Sequence, residues 1–246
     1  MCGRYALHGQ AGRRDPEALS FGGAQIDFPP RYNLSPMQAV PVYGLNAQGE
    51  GRLRLMQWGL IPGWAKDPAI AAKLNNARAE TVAEKPAFRD AFRRRRCLVP
   101  MNGFYEWQRE GARKTPHYFS LRDGGLFAVA GIYDTWRDAG GEARSTFAVL
   151  TTAPNALMAP IHDRMPVILP PQAHAAWLDV RNTAAEGLEA LLAPYPAGDM
   201  QAWPVSARVN STRNDDAQLI QAAAAPEAAT IGGGDVARQP QQERLL

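Results

Sequence analysis

Three side chains have types and positions that could carry covalent chemistry, and the first is Cys2, which directly follows Met1. If Met1 is removed, Cys2 carries a free α-amine and a thiol on adjacent carbons, a pair that no internal cysteine offers. The alternative is that Cys2 is a small apolar side chain on a first strand, because free cysteine is readily buried. Its position alone leaves both interpretations open.

The second is Glu106, which lies in the short stretch FYEW. Strand alternation places Phe104 and Glu106 on one face, and Tyr105 and Trp107 on the other. A glutamate that shares a strand face with a phenylalanine is either a solvent-facing residue at a strand edge or a carboxylate held in a cleft.

The third is His162, in the motif IHDRMP between a predicted helix and a predicted strand. Connections of this kind often deliver functional groups. A lone histidine is more often structural, but His162 is followed at once by Asp163 and Arg164. The remaining histidines are interpreted as structural: His8, His117 and His174.

Positive charge is concentrated between Arg78 and Arg96, where seven basic residues face three acidic ones, a local balance of +4. Such a run is either the solvated face of a helix or a surface that binds phosphates. Tryptophans close by in the sequence, Trp58, Trp64 and Trp107, could stack on bases, which would favour the phosphate-binding interpretation.

The elements that must position these residues are mostly strands. Apolar runs separated by Gly, Asn and Pro predict consecutive strands joined by hairpin connections across residues 96–150. The predicted strands are RCLVP, FYEW, HYFSL, LFAVAGIYDTW and STFAVLTT, with PMNG as the first turn and PVIL as a later strand.

Short helices are predicted around this sheet. Residues 84–95 place Phe88 and Phe92 four residues apart among arginines, which is typical of a helix with one buried face. The other predicted helices are NALMAPIH, QAHAAWLDV, AAEGLEALLAPY and DDAQLIQAAA. We predict a single α+β domain with a mainly antiparallel, twisted, barrel-like sheet core and surrounding short helices.

Composition excludes several classes of protein. A chain of 246 residues with net charge +3 fits one large globular domain. Two cysteines make no disulfide framework, and no Cys/His cluster suggests a metal site. The first fifteen residues lack the apolar core of a secretory signal, and no apolar run approaches the roughly 18 residues of a membrane span. We expect a cytoplasmic protein without a membrane contact.

Several longer motifs occur in a fixed order along the chain. They are MCGRY, YNLSP, WGLIPGWA, NARAET, CLVPMNGFYEW, TTAPN, IHDRMPVIL and VSARVN. Through them the sequence resembles the SOS-response-associated peptidase (SRAP) family, the abasic-site-processing proteins. The resemblance runs over residues 2–222. The alanine- and glutamine-rich residues 223–246 are predicted to form a disordered tail.

The resemblance implies a protein that attaches itself covalently to abasic sites in single-stranded DNA. It implies that Cys2 is the nucleophile and that Asn76, Glu106 and His162 complete the active site. The DNA-binding residues that it implies are Arg4, Arg78 and Arg164 on phosphates, with Trp64 and Trp107 against the bases. It also implies a protective role in the DNA damage response.

The chemistry of the resemblance explains the place of Cys2. An abasic deoxyribose opens to an aldehyde. The α-amine of Cys2, with a reference pKa of about 8, condenses with this aldehyde to an imine, and the adjacent thiol then closes a thiazolidine ring. Ring closure by a tethered thiol gains from a high effective molarity. Glu106 is expected to move protons, His162 to donate to the sugar ring oxygen O4′, and Asn76 to orient the substrate.

Two other classes of function stay open. One is an N-terminal-nucleophile amidohydrolase, in which Cys2 attacks an amide; the peptidase in the family's name refers to self-removal of Met1. The other is a non-covalent DNA-binding module with a structural Cys2. The favoured interpretation predicts a monomer without cofactor or metal, with autopeptidase (hydrolase) activity and lyase-type chemistry at abasic sites. It also predicts association with the nucleoid when the protein is bound to DNA.

Overall fold

The computed structural model of the protein describes residues 2–8, 20–21, 23–25, 28–46, 48–182 and 185–223. Its strands are β1 Tyr5–Leu7, β2 Ser20–Phe21, β3 Ala24–Gln25, β4 Arg31–Leu34, β5 Ala39–Leu45, β6 Gly51–Trp58, β7 Asn76–Arg78, β8 Arg96–Met101, β9 Gly103–Glu110, β10 Arg113–Leu121, β11 Phe127–Arg137, β12 Ala143–Thr152, β13 Met165–Pro166, β14 Ile168–Leu169 and β15 Met200–Pro204. Its α-helices are α1 Arg89–Arg94, α2 His174–Leu178 and α3 Ala185–Glu189. Short 3₁₀-helices cover Pro68–Lys73, Ala79–Thr81, Pro171–Ala173, Ala190–Leu192, Ala197–Asp199, Ala207–Asn210 and Ala217–Ile220.

Five strands close into a barrel. Around the ring, β12 pairs with β6, β6 with β5, β5 with β8, β8 with β11, and β11 again with β12. All of these pairs are antiparallel except β12–β6. Every residue of β8 is buried, as expected for a strand with the barrel interior on one side and other elements on the other. The predicted α+β fold with a barrel-like core is therefore confirmed.

A second antiparallel sheet, with strand order β15-β10-β9-β1-β4, lies beside the barrel. In it Tyr5 pairs with Phe104, and the main-chain N–H of Tyr105 donates to the carbonyl of Arg4. Because β1 and β9 are antiparallel, this register brings residues 2–4 alongside residues 105–107. The register alone therefore places Cys2 near Glu106.

The predicted strands exist, but one predicted connection is wrong. RCLVP and FYEW do not form a hairpin, because β8 belongs to the barrel and β9 to the second sheet. The chain crosses between the sheets at Asn102, whose N–H donates to the carbonyl of Ala6 and whose Oδ1 accepts from the N–H of His8. Antiparallel pairing of sequential strands does join β9 to β10 and β11 to β12.

Proline shortens two of the predicted helices. Of residues 84–95 only α1 is helical, since Pro86 disfavours helical backbone at Lys85 before it. NALMAPIH forms turns only, because Pro160 has the same effect on Ala159. DDAQLIQAAA contains just a single 3₁₀ segment, Ala217–Ile220.

The helices predicted in QAHAAWLDV and AAEGLEALLAPY are confirmed as α2 and α3. The predicted tail from residue 224 onward lies outside the described residues. Among the helices of the described part, none is long and apolar enough to cross a membrane.

Candidate active site

Cys2 is completely buried where the two sheets meet. The side-chain Nδ2 of Asn76 donates to the main-chain carbonyl of Cys2 at 2.8 Å. Asn76 itself begins β7, which runs parallel to β12 with Asn76 opposite Val149. Burial, and then the nearby Glu106 carboxylate, raise the pKa of the Cys2 thiol to about 12. The thiol is therefore protonated at neutral pH, and its main chain is held by the barrel.

Glu106 is 3% exposed on β9, which has β1 on one side and β10 on the other. The strand-edge alternative is therefore wrong, because the carboxylate is buried on a strand with a neighbour on either side. The predicted alternation is confirmed: Phe104 stacks on Phe119 in the main core, while Tyr105 and Trp107 belong to a separate cluster. Burial raises the pKa of Glu106 to about 7, so this carboxyl group can both accept and release a proton near neutrality.

His162 faces Glu106, with Nε2 of the ring 3.9 Å from Oε2 of the carboxylate. On the other side of the ring, Nδ1 accepts a hydrogen bond from the main-chain N–H of Arg164 at 3.0 Å. Oδ1 of the Asp163 carboxylate also lies 3.0 Å from Nδ1, so a donor and an acceptor both face this ring nitrogen, and Nε2 is the nitrogen on the Glu106 side. Burial lowers the pKa of His162, which favours the neutral ring, and the Asp163 carboxylate acts in the opposite direction.

The three predicted phosphate-binding arginines differ in their surroundings. Arg78 is exposed. Arg164 is mostly buried and donates through Nη1 and Nη2 to both carboxylate oxygens of Glu80, at 2.7 and 2.9 Å. Arg4 is half-buried and donates to Oδ1 of Asn33 and to the carbonyl of Val209.

Trp107 lies next to Arg4, whose guanidinium carbon is 5.8 Å from the centre of the indole ring. The indole N–H of Trp107 donates to Oδ1 of Asn210 at 2.8 Å. Asn33 and Asn210 thus hold Arg4 and Trp107, and sequence reasoning assigned neither a role. The available signal was their place in the motifs YNLSP and VSARVN.

Trp64 stands apart from this cluster. It is 61% exposed on a loop whose neighbouring Gly63 donates its N–H to Asp134. Asp134 pairs with Thr146, three residues before Val149, which is opposite Asn76. The loop is therefore anchored about 10 Å along β12 from the level of the site. Contacts among the other predicted site residues join Cys2 to Asn76, Glu106 to His162, and Arg4 to Trp107. Arg78 and Arg164 both adjoin Thr151, whereas Trp107 lies on the face of β9 opposite Glu106.

Tyr5 is a further buried polar residue at the site. Its hydroxyl has no hydrogen-bond partner among the described residues, and its ring meets the Trp58 ring edge-on at 5.4 Å. Burial, and then the Cys2 thiolate, raise the pKa of Tyr5. Within the described part of the chain, no group of three or more His, Cys, Asp or Glu side chains is arranged to hold a metal ion.

The fold and the site define a single barrel-based protein in which a buried cysteine, a glutamate and a histidine meet between two sheets. A family model described as SOS response associated peptidase (SRAP) matches residues 1–212. The chain therefore belongs to this family, which confirms the resemblance drawn from its motifs.

Curated relatives carry names that describe a process. The chain is 42% identical over 226 residues to the abasic site processing protein YoqW of Bacillus subtilis, covering 90% of this chain and 99% of the relative. It is 32% identical over 243 residues to the abasic site processing protein HMCES of Xenopus tropicalis, covering 87% and 71%. A crystal structure of a Bacteroides thetaiotaomicron protein superposes with a TM-score of 0.78 at 29% identity, covering 91% of this chain and all of that one.

Proposed function

We propose that this protein processes abasic sites by forming a covalent crosslink to them in single-stranded DNA. The crosslink is a thiazolidine that joins Cys2, as the N-terminal residue, to the C1′ aldehyde of the opened sugar. One observation carries the proposal: Cys2 is held by its main chain, through Asn76, beside a glutamate whose pKa is about 7. Fixing the Cys2 backbone sets the direction of its nitrogen as well as of its thiol, and the thiazolidine needs both.

The first step is removal of Met1. Water adds to the Met1 carbonyl carbon, the bond to the Cys2 nitrogen breaks, and that nitrogen takes up a proton as the new amine. Glu106 is suited to this transfer because its carboxyl group exchanges a proton near neutral pH. This step is the autopeptidase activity of the protein, a hydrolysis that it performs on itself.

Crosslinking then follows in two stages. The amine adds to the aldehyde, and loss of one water leaves an imine at C1′. The Cys2 thiol adds to the imine carbon, and its proton ends on the ring nitrogen, so that one water is released overall. Because the pKa of the thiol is about 12, the sulfur cannot react as a ready thiolate, and Glu106 must take its proton and pass it on.

His162 and Asn76 have separate tasks. In this proposal Nε2 of His162 donates a proton to O4′ of the sugar, which favours opening to the aldehyde. Asn76 keeps the Cys2 carbonyl fixed and so directs the amine and thiol toward the same carbon. The imine could also lead to strand cleavage, the lyase-type outcome, and prompt ring closure competes with it.

Arg78, Arg4 and Trp107 form the DNA-binding surface in this proposal. Arg78 offers an exposed guanidinium to a phosphate, and Trp107 offers a ring on which an unstacked base can lie. Such stacking requires single-stranded DNA. We take residues 2–222 as the working unit and propose that it acts as a monomer in the cytoplasm, associated with the nucleoid while it protects damaged DNA.

The test is incubation with a single-stranded oligonucleotide that carries one abasic site, followed by denaturing electrophoresis. The parent protein should give a shifted band without borohydride. Cys2→Ala keeps an amine and loses the thiol, so its adduct should need borohydride. Insertion of one glycine between Met1 and Cys2 separates the amine from the thiol and should abolish the stable band.

Each alternative predicts a different gel. A thiol-only nucleophile would retain part of its adduct after the glycine insertion and none in Cys2→Ala. An amidohydrolase would give no adduct and would release an acid and an amine from an amide substrate. A non-covalent DNA-binding module would give no denaturant-resistant band with any variant. A stable adduct at parent yield after the glycine insertion would refute the thiazolidine.

A further inference from the structure

The motif NARAET reaches two parts of the site at once. Its first residue, Asn76, bonds the carbonyl of Cys2. Four residues later, on the 3₁₀-helix Ala79–Thr81, Glu80 receives the two-pronged hydrogen bond of Arg164. The function proposed above uses Asn76 and leaves Glu80 without a role.

Arg164 connects Glu80 to His162. Its main-chain N–H donates to Nδ1 of His162 at 3.0 Å and so helps to orient the ring, together with the Asp163 carboxylate, whose Oδ1 lies 3.0 Å from the same nitrogen. Its side chain leaves in another direction, to Glu80 and, through Nη2, to the carbonyl of Thr151 at 2.5 Å. Thr151 lies on β12 opposite Arg78. The backbone that supports His162 is thus attached to the strand pair that supports Asn76.

We propose that Glu80 is a positioning residue for His162 and that it acts through Arg164. The catalytic part of this proposal rests on the function proposed above. Glu80 acts at a distance from the reacting atoms; it keeps the guanidinium of Arg164 in place, and the Arg164 backbone keeps the imidazole with its Nε2 toward Glu106.

Charge and burial explain why Glu80 is suited to this task. The Arg164 side chain is 13% exposed, whereas Glu80 is half-exposed and lies at the rim. The hydrogen bond from Arg164 lowers the pKa of Glu80, which keeps the carboxylate ionised at neutral pH. Without that carboxylate, a mostly buried guanidinium would lose its charged partner and would have to move toward solvent. Such a movement would pull on the residue that bonds His162.

The test compares Glu80→Gln with Glu84→Gln. Glu84 is exposed four residues further along the chain, and its substitution removes an equal negative charge. Any general gain in DNA affinity from the lost charge is therefore shared by both variants. The readouts are the crosslinking rate at saturating abasic oligonucleotide, and the imidazole nitrogen signals of His162 by NMR across pH without DNA.

Glu84→Gln should match the parent in both readouts. Glu80→Gln should lower the maximum rate about tenfold, since a displaced catalytic group loses one to two orders of magnitude. It should also change the Nδ1 and Nε2 signals and the titration midpoint of His162. The positioning role is overturned if the His162 signals of Glu80→Gln match those of Glu84→Gln. Its catalytic part is overturned if the parent crosslinks and Glu80→Gln crosslinks as fast as Glu84→Gln.

The two proposals fail in different ways. If the parent protein forms no crosslink, the proposed function is refuted. The positioning role of Glu80 is then decided by the His162 signals alone, which need no DNA. If the parent crosslinks and the His162 signals of Glu80→Gln are unchanged, the positioning role is refuted and the proposed function stands.

Discussion

Glu106 and His162 face each other from two different sheets, with Nε2 of the histidine 3.9 Å from Oε2 of the glutamate. Glu106 comes from β9 of the second sheet, whereas His162 precedes β13, which pairs with β12 of the barrel. Cys2 and Asn76 also come from different sheets. Cys2 precedes β1 of the second sheet, whereas Asn76 begins β7, which pairs with β12 of the barrel. The site therefore exists only when the two sheets are packed together.

Glu106→Gln should slow crosslinking by about 10²- to 10⁴-fold, because an amide keeps the shape of the carboxyl group but cannot carry a proton. In the parent, a pKa of about 7 means that the proton-accepting carboxylate forms as the pH rises through 7. The rate should rise over that range, and this inflection should be absent in Glu106→Gln. An inflection left in the variant would come from the α-amine or from His162. A rate within about twofold of the parent would remove Glu106 from the mechanism.

Glu106 should also make folding stability depend on pH. Its pKa in the folded protein is above the ordinary value of 4.5, so the folded state binds the proton more tightly than the unfolded state. This contribution is fully present below pH 4.5 and is lost as the pH rises through about 7. The difference in the free energy of unfolding between Glu106→Gln and the parent should therefore shift in favour of the variant by on the order of 1–3 kcal/mol from pH 4.5 to pH 8. Urea unfolding of both proteins at the two pH values measures this shift. The same difference between variant and parent at both pH values would contradict the raised pKa of Glu106.

Asn210→Ala should weaken non-covalent binding to undamaged single-stranded DNA. The substitution removes the acceptor of the Trp107 indole N–H, so the ring is less well fixed for stacking. We expect about a threefold loss of affinity, a fraction of the full stacking contribution, with the crosslinking rate at saturation unchanged. Ser211→Ala is the matched control, since Ser211 is adjacent and its hydroxyl accepts only from the N–H of Arg213. Equal affinities of the two variants would show that Asn210 does not position Trp107.

Arg96→Lys should destabilise the fold by about 2–4 kcal/mol without a direct effect on the chemistry. Arg96 is 1% exposed and its guanidinium donates to five main-chain carbonyls: Phe92, Arg93, Trp177, Asp179 and Asn182. Lysine has three donors on one atom and cannot reach groups spread this widely. Thermal unfolding of Arg96→Lys and of the control Arg94→Lys, at an exposed position, tests this prediction. Equal unfolding midpoints of the two variants would refute it.

Much of the local structure follows from the sequence. Alternation alone placed Glu106 on the face of Phe104, because side chains on a strand alternate whatever the strand pairs with. The strands between residues 96 and 152 follow from apolar runs for the same reason. The helix predictions failed where Pro86 and Pro160 oppose helical backbone, and that signal was present in the sequence.

The tertiary structure decided which residues meet. The crossing at Asn102 and the pairing of Arg164 with Glu80 have no local signal. The sequence by itself determined that Cys2, Glu106 and His162 are candidates, since their residue types and flanking motifs are local properties. Only packing decided that Arg4 is held by Val209, 205 residues away, because such contacts depend on how the two sheets come together and not on the residues that flank either partner.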